Sequence, residues 1–375
     1  MKPPGPEQRI RRWQTYLAVW GLHRCLGLGT GLFIVVASLT GALLVLHHDL
    51  ERWLHPERHV VPAPPPEAPP GPGLADIVRA VAPLAPPGYR PLRIEPGHGA
   101  TDAYKLVFIG ADSSIRWSAF FDPHTGQVLW HGADQHLLTP WLLHLHMHLH
   151  AGTVGYVAMG VASLALTLLA LTGVWITRGR LALLLRRPLR LGRGWRIAAS
   201  DLHKWTGLVS LYFSFILGAT GLWFSILIIP DELRRQAPEP LAPAFDLTQL
   251  APIEPALATV RAQWPGAELA RIILPWDDGV GLQVRVLHRE APVWRKLSRI
   301  DCDPATGAIR RIRDARDAAW TDQLQSVLGP LHFGYYGSTL VKWLYVAGGL
   351  APTVLCVSGT IIWWCRRRSA GQTRT

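Results

Sequence analysis

Long uncharged apolar stretches dominate the hydrophobic pattern of the chain. A helix needs about 20 apolar residues to cross a bilayer, and four stretches reach that length. They are residues 25–46, 150–177, 205–230 and 343–365. The segments between them carry short strand-like runs and short helical patches. Examples are the runs 104–109 and 281–287 and the patches 74–81 and 253–263. The pattern predicts a four-helix transmembrane bundle with two small α+β domains outside the membrane.

This reading divides the chain into alternating membrane and outside segments. They are a cytoplasmic N-terminus (1–15), a first span (16–48), a first outside domain (49–140), a second span (141–177), a basic cytoplasmic loop (178–200), a third span (201–230), a second outside domain (231–330), a fourth span (331–365) and a cytoplasmic tail (366–375). The Pro-rich stretch 61–73 is predicted to be an extended linker. The N-terminus lacks a small-residue cleavage site, which predicts that the first span is an uncleaved anchor.

The distribution of Lys and Arg predicts the orientation of the spans. Only 17% of the 375 residues are charged, whereas soluble domains have about 25%, and the net charge is +12. The basic residues cluster in the N-terminus, in the loop 178–200 and after the fourth span. Cytoplasmic loops carry the excess of Lys and Arg, so these segments are predicted to be cytoplasmic. The positive charge therefore indicates topology and not a nucleic-acid partner.

Short motifs recur at equal spacings and divide the chain into two units. In each unit one His is followed 17 residues later by Thr-Gly, and a second His is followed 26 residues later by Thr-Gly or Ser-Gly. The first unit holds His23 with Thr40-Gly41 and His146 with Thr172-Gly173; the second holds His203 with Thr220-Gly221 and His332 with Ser358-Gly359. The order predicts two parallel repeats related by an axis along the membrane normal. Such an axis brings the first span beside or opposite the third.

Two of the repeated motifs have purely structural interpretations. A DP-x-TG sequence occurs in each outside segment, at 122–126 and 303–307. Asp-Pro initiates turns and Gly adopts positive φ, so this motif predicts a tight turn between two strands. The Thr-Gly and Ser-Gly pairs in the spans are predicted to be close helix contacts, because small residues let helix backbones approach.

The repeated histidines are the candidate functional residues, since ionisable residues in spans are costly and commonly functional. The predicted two-fold axis pairs His23 with His203 at the inner ends of the spans, and His146 with His332 at the outer ends. Two neutral imidazoles that face each other across a helix bundle are typical of bis-histidine b-type haem. The pairs predict two haem b groups and an electron path across the membrane. The four Cys form no CxxCH motif, which argues against covalently attached haem.

The outer ligand lies in a run of four histidines, so alternatives remain. The spacing selects His146, with His150 as the main rival and His148 and His144 as alternates; the run could also be a metal-binding tract. On a helix His144 and His148 share one face, and His146 and His150 share another. His332 lies about 16 Å along a helix before the long apolar stretch. That spacing predicts an outer haem at or above the membrane interface.

Motifs at all four spans resemble the PepSY-associated transmembrane family. They are LHRCLGL at 22–28, LHMHLHAG at 145–152 with TG at 172–173, LHKWTGL at 202–208, and LHFG at 331–334 with SGTIIW at 358–363. The resemblance implies PepSY-like outside domains and haem ligation by His23, His203, His146 and His332. The family commonly has an acidic residue where this chain has His148. This departure leaves open which His of the run 144–150 ligates the outer haem.

Within that family, the length and two-unit layout resemble FoxB-type inner-membrane ferrisiderophore reductases. This resemblance implies a bacterial inner-membrane protein with both termini cytoplasmic and both domains periplasmic, which transfers electrons to ferric siderophores. The chain has no GxGxxG motif and no room for a flavin domain. A quinol or a reductase partner is therefore expected to be the electron donor. The alternatives are a haem reductase for another periplasmic acceptor, a haemless peptide-binding sensor or assembly protein, and an iron or siderophore transporter.

Overall fold

A computed structural model describes most of the chain. The described residues are 5–65, 67, 71–97, 99–110, 116–179, 189–190, 192–234, 243–276, 280–288, 297–334 and 338–372. Parts of the predicted linker 61–73 and of the basic loop 178–200 lie outside them. The chain forms two compact units. The membrane unit comprises Met1–Leu46, Leu142–Arg234 and Leu331–Thr375, and the sheet unit comprises His47–Trp141 and Arg235–Pro330.

Helices and strands occur in blocks along the chain, in an order that follows these units. The helices are α1 (Pro6–Val45), α2 (His47–Leu54), α3 (Pro56–His59), α4 (Leu74–Val81), α5 (Leu138–His148), α6 (Gly152–Thr177), α7 (Trp195–Val209), α8 (Leu211–Arg234), α9 (Glu254–Gln263), α10 (Trp320–Phe333) and α11 (Thr339–Gln372). The strands are β1 (Arg90–Glu95), β2 (Tyr104–Ile109), β3 (Arg116–Phe121), β4 (Val128–Ala133), β5 (Glu268–Ile273), β6 (Leu282–Leu287), β7 (Leu297–Cys302) and β8 (Ile309–Arg313).

Four helices are long and apolar enough to cross a membrane, namely α1, α6, α8 and α11. Helix α1 begins ten residues before the predicted span, at Pro6, because Pro suits the first turn of a helix. Helix α6 packs against α1 and α8, and α11 packs against α1 and α7. The first and third spans are therefore opposite each other in the bundle. The chain is a membrane protein, as its apolar pattern predicted.

The later spans are each preceded by a separate short helix. Helix α5 ends at His148 and α6 begins at Gly152, while α7 and α8 are separated at Ser210. Leu149 and His150 have φ angles of 56° and 55°, a left-handed conformation that is unusual for such residues. The helix predicted through residues 141–177 is therefore interrupted, and His150 lies beyond the end of α5.

The two outside segments build one sheet. Its strands are all antiparallel and follow the order β4-β3-β2-β1-β5-β6-β7-β8. The segments join where Arg93 of β1 pairs with Ile273 of β5. The expectation of two separate domains is therefore wrong. The physical reason is that β1 and β5 would otherwise be edge strands, each with one side of its backbone unpaired, and pairing satisfies those backbone groups.

One face of the sheet packs beneath helices α4 and α9. Ile77 and Val78 of α4 share a buried core with Ile94 of β1 and Ile272 of β5, all at most 2% exposed. Helix α4 has the bounds expected from the apolar pattern, and α9 begins one residue later than expected. Both helices are short and amphipathic, so the shared core holds the two segments together.

The DP-x-TG motifs form turns, as predicted. The first turn connects β3 to β4 and the second connects β7 to β8. Gly126 and Gly307 adopt φ angles of 77° and 72°, which favour glycine. The carboxylate of Asp122 accepts a hydrogen bond from the backbone N–H of His124, and Asp303 accepts one from Thr306. These motifs stabilise hairpins at the edges of the sheet and lie outside the candidate site.

Candidate cofactor site

The structure brings His23 of α1 and His203 of α7 together across the bundle. Their ring centres are 6.2 Å apart and the ring planes are inclined by 85°. The two residues come from opposite spans, which is the arrangement that the two-fold axis predicts. This inner pair is formed entirely within the membrane unit.

The structure also brings His146 of α5 and His332 of α10 together. Their ring centres are again 6.2 Å apart, with the ring planes inclined by 57°. Phe224 of α8 lies 5.5 Å from the ring of His332 and contributes an aromatic wall. This outer pair has the same ring separation as the inner pair although it is built from different helices.

The outer pair lies deeper than expected. Nδ1 of His146 is 3.0 Å from the hydroxyl of Thr40, and Nδ1 of His332 is 2.8 Å from the hydroxyl of Thr220. Thr40 precedes the end of the apolar stretch 25–46 by six residues, or about 9 Å. The prediction of a site at or above the interface is therefore wrong.

The reason is the bend between α10 and α11. A continuous helix would carry His332 away from the apolar stretch, but α10 ends at Phe333 and Gly334 has a φ of 72°. The hydroxyl of Tyr345 in α11 donates a hydrogen bond to the carbonyl oxygen of Leu331. This contact holds the end of α10 against α11, so that His332 reaches the hydroxyl of Thr220.

Each of the four histidines is held by a hydroxyl of a neighbouring helix. The Nδ1–hydroxyl distances are 2.8 Å for His23 and Thr172, 3.1 Å for His203 and Ser358, 3.0 Å for His146 and Thr40, and 2.8 Å for His332 and Thr220. We call these four contacts the hydroxyl seats. All four hydroxyls belong to the repeated Thr-Gly or Ser-Gly pairs, which the sequence had suggested only as helix contacts.

The seats determine which ring nitrogen carries the proton. Each hydroxyl donates its own hydrogen to the carbonyl oxygen four residues earlier, for example Thr172 to Leu168 at 2.7 Å and Thr220 to Ile216 at 2.6 Å. The hydroxyl oxygen must then accept from Nδ1–H of the histidine. His203 Nδ1 also lies 3.0 Å from the carbonyl oxygen of Leu355, which can only accept. The Nε2 atoms therefore keep their lone pairs for a metal.

The glycine beside each hydroxyl leaves space for the ring. A Cβ atom at Gly41 would lie 2.9 Å from Cε1 of His146. Corresponding Cβ atoms would lie 3.7 Å from His23 at Gly173, 3.5 Å from His332 at Gly221 and 3.4 Å from His203 at Gly359. Each Thr-Gly or Ser-Gly pair thus supplies a hydroxyl that binds the ring and a glycine that leaves space beside it. Of the four glycines, Gly41 has the shortest distance from its Cβ position to the ring.

The seats are reciprocal within each half of the chain. His23 of α1 is held by Thr172 of α6, while His146 beside α6 is held by Thr40 of α1. The second half repeats this exchange between α7–α8 and α10–α11. Sequence reasoning used the Thr-Gly and Ser-Gly pairs only as markers of the repeat and as helix contacts, and it missed this crossing. The signal was present in the spacings of 17 and 26 residues, but only tertiary packing reveals which hydroxyl meets which ring.

Comparison with known proteins identifies the family of the chain. The pattern of the PepSY-associated TM region matches residues 20–366. The chain belongs to the PepSY-associated transmembrane family. An uncharacterized protein of Pseudomonas aeruginosa, PA4219, is 28% identical over 257 residues, which cover 62% of this chain and 65% of that relative. The match thus spans slightly less than two thirds of the relative's length.

The remaining histidines of the run form a separate cluster in this family member. The ring centre of His144 lies 5.1 Å from that of His148 and 6.0 Å from that of His150. The expectation that His146 and His150 share a face is wrong, because α5 ends before His150 and the left-handed turn carries it toward His144. Of these alternates, none faces His332 in the described contacts. Within the described residues, no group of three or more His, Cys, Asp or Glu side chains has metal-binding geometry.

The ring separations fit a metal held between two imidazoles. Two metal–nitrogen bonds of about 2 Å and about 1.1 Å from each nitrogen to its ring centre add to about 6 Å, close to the 6.2 Å observed at both pairs. Each pair would offer a metal two imidazole nitrogens as ligands. This donor set suits haem iron, whose porphyrin provides the other ligands, better than zinc, which takes four ligands.

Proposed function

We propose that this protein is a di-haem b electron-transfer protein of a bacterial inner membrane that reduces ferric siderophores in the periplasm. One observation supports this proposal above the others. The structure has two histidine pairs, and each histidine has a hydroxyl seat at Nδ1 that leaves the lone pair of its Nε2 atom available for a metal. His23 and His203 would hold the inner haem, and His146 and His332 the outer one. When bound, the haems supply reversible one-electron transfer between Fe(III) and Fe(II). The siderophore would release its iron on reduction, because Fe(II) binds hard oxygen ligands less tightly.

The protein's own residues would align the two sites across the membrane. On α1, His23 and Thr40 are 17 residues apart, so the sites are separated by about 26 Å along the helix. The guanidinium groups of Arg24 and Arg366 lie 4.9 and 5.6 Å from the ring of Trp20, three residues before His23 in the chain. Basic residues at this end support a cytoplasmic inner site. The electron donor would be a quinol or a reductase partner, and the outer site would face the periplasmic acceptor.

Removal of one histidine of a pair is expected to remove one haem. We expect about two haem b groups per chain in the purified protein by pyridine haemochrome assay, and about one in His203→Ala or His332→Ala, because one imidazole is insufficient for bis-histidine ligation. His150→Ala is the matched control and should retain both haems, since His150 lies against His144 and His148. Colourless wild-type protein from haem-replete cells would refute the proposal.

Loss of a hydroxyl seat is expected to weaken one site without removing its ligand. In Thr220→Val, Nδ1–H of His332 loses its acceptor, and removal of such a supporting partner typically lowers metal affinity about 10- to 100-fold. The outer haem should also show a higher reduction potential, because its imidazole becomes a weaker donor. Haem retention during dilution and redox titration followed by absorbance would measure both effects.

Thr177→Val provides the control for that experiment. Its hydroxyl donates to the carbonyl oxygen of Gly173, as a seat hydroxyl donates to its own helix, but it touches no histidine in the described hydrogen bonds. Thr220→Ser should bind the outer haem as tightly as the wild type, since it retains the hydroxyl. Equal haem retention by the Thr220→Val and Thr177→Val variants would show that the seat does not support the site.

A further inference from the structure

A row of arginines crosses the face of the sheet that is turned away from α4 and α9. Arg271 of β5 is in register with Arg285 of β6, Arg285 with Arg299 of β7, and Arg299 with Arg313 of β8. The neighbours of Arg285, Val284 and Val286, are fully buried in the core, so alternation directs the arginine to the other face. We call these four residues the arginine row. Strands lie about 4.8 Å apart, so the row extends about 14 Å.

The arginine row lowers the stability of the sheet, because like charges directly opposite on neighbouring strands are destabilising. Nearby carboxylates offset this repulsion only in part. Asp301 lies 3.3 Å from Arg299 and 3.7 Å from Arg313, and Glu95 lies 3.6 Å from Arg271. In the described parts of β5–β8, this face carries the row and Arg311 against the carboxylates of Glu268 and Asp301. The surface therefore retains an excess of positive charge.

The centre of the row has unused hydrogen-bond donors. The Nε atoms of Arg285 and Arg299 are buried and have no hydrogen-bond partner among the described residues; Arg299 Nε has only the 3.3 Å ion pair with Asp301. Burial first, and then the charges of Arg299 and Arg271, lower the pKa of the Arg285 guanidinium. The ends of the row are open, since the side chains of Arg271 and Arg313 are 44% and 47% exposed. A partly desolvated cationic surface with free donors favours an oxygen-rich anion.

We propose that the arginine row binds anionic oxygen chelates of Fe(III), such as tris-catecholate complexes. This inference rests on the proposed function for the identity of the chelated metal. Planar guanidinium groups bind paired anionic oxygens in a bidentate manner, and the row presents several such groups in one line. A neutral tris-hydroxamate complex lacks the charge that the row complements. The row would therefore select the substrate by charge and place anionic chelates on the sheet unit.

Binding of redox-inert gallium complexes tests this proposal separately from electron transfer. The full-length protein in nanodiscs of zwitterionic lipid is titrated calorimetrically with Ga(III) tris-catecholate and with a neutral Ga(III) tris-hydroxamate at low salt. We expect Arg285→Gln/Arg299→Gln to weaken catecholate binding at least about tenfold, because two charge-assisted contacts are lost. Hydroxamate binding should be weak and unchanged. Added salt should weaken wild-type binding of the anionic complex.

Arg310→Gln is the matched control. Arg310 also lies on β8 but is paired with Asp303 at the hairpin, so its replacement should leave gallium catecholate binding unchanged. Thermal unfolding of both variants shows whether the sheet unit is folded; the double variant should be at least as stable as the wild type, since it removes like-charge repulsion.

The outcomes separate this inference from the proposed function. Equal gallium catecholate binding by the wild type and the folded double variant would overturn the inference, even if the protein carries two haems. Row-dependent binding by a protein without haem would support the inference and refute the proposed function. If the wild type binds phosphatidylglycerol vesicles through the row and does not bind the gallium complex, lipid headgroups are the ligand and the inference is again overturned.

Discussion

Gly41→Ala is expected to remove the outer haem and leave the inner one in place. The added Cβ would lie 2.9 Å from Cε1 of His146, closer than carbon atoms normally approach, and the ring is already held by Thr40 one residue earlier. The imidazole must therefore turn or shift from its position opposite His332. Haem content should fall from about two to about one per chain, and absorbance-monitored redox titration should lose the component that is absent in His332→Ala.

The corresponding glycine of the inner site provides a matched control. In Gly173→Ala the new Cβ would lie 3.7 Å from Cε1 of His23, an ordinary van der Waals distance, so both haems should remain. The two variants make the same chemical change at equivalent seats and differ only in the available space. If both lose haem equally, or if neither does, the space beside the ring does not control the outer site.

Gly155→Ala is expected to destabilise the whole membrane unit. A Cβ at this position of α6 would overlap the carbonyl oxygen of His148 at the end of α5. Because that atom belongs to the backbone, no rotamer change relieves the overlap, and α5 must shift together with His146. Inserting an atom into such a close-packed contact typically costs about 1–3 kcal/mol, and occasionally more. Thermal unfolding in detergent should show a markedly lower midpoint, together with loss of the outer haem.

Gly29→Ala on α1 controls for the general effect of a methyl group in a span. A Cβ there meets no atom within 4 Å, and alanine is favoured over glycine in a helix by about 1 kcal/mol. Its unfolding midpoint should be unchanged or slightly higher. A Gly155→Ala variant as stable as Gly29→Ala would contradict the close packing of α6 on the end of α5.

The helices and the histidine pairs were accessible from the sequence because their signals are regular. Apolar length predicts a span, and the helix α4 and strand β2 have the bounds that local patterns suggested. The pairing of His23 with His203 followed from equal spacings in the two units. These features depend on periodicity along the chain, which is present before folding.

The depth of the outer site was not accessible in the same way. It depends on the left-handed residues Leu149 and His150, on the bend at Gly334 and on the contact between Tyr345 and Leu331. Local sequence preferences do not predict these features; leucine and histidine, for example, rarely adopt positive φ. A helix continued from the apolar pattern therefore placed His332 too far out and grouped His150 with His146.

The joining of the two outside segments into one sheet also could not be predicted from local sequence patterns. Strands β2–β4 and helices α5–α9 separate β1 from β5 in the chain, and the two strands pair through Arg93 and Ile94 of β1. Strand pairing of such large sequence separation leaves no mark in the apolar pattern of either strand. The arginine row was equally hidden, since its members are in register only once β5, β6, β7 and β8 are aligned.

The reciprocal hydroxyl seats have a consequence for how the protein is assembled during synthesis. Residues up to Thr177 contain both histidines and both hydroxyls of the first half, so the hydroxyl seat of each imidazole comes from the same half. The later half contributes the opposing rings together with their own hydroxyl seats. The histidine rings of the first half can therefore be oriented by their seats before the second half has been synthesised. Each histidine pair forms only when the second half docks onto the first, because each pair takes one ring from each half.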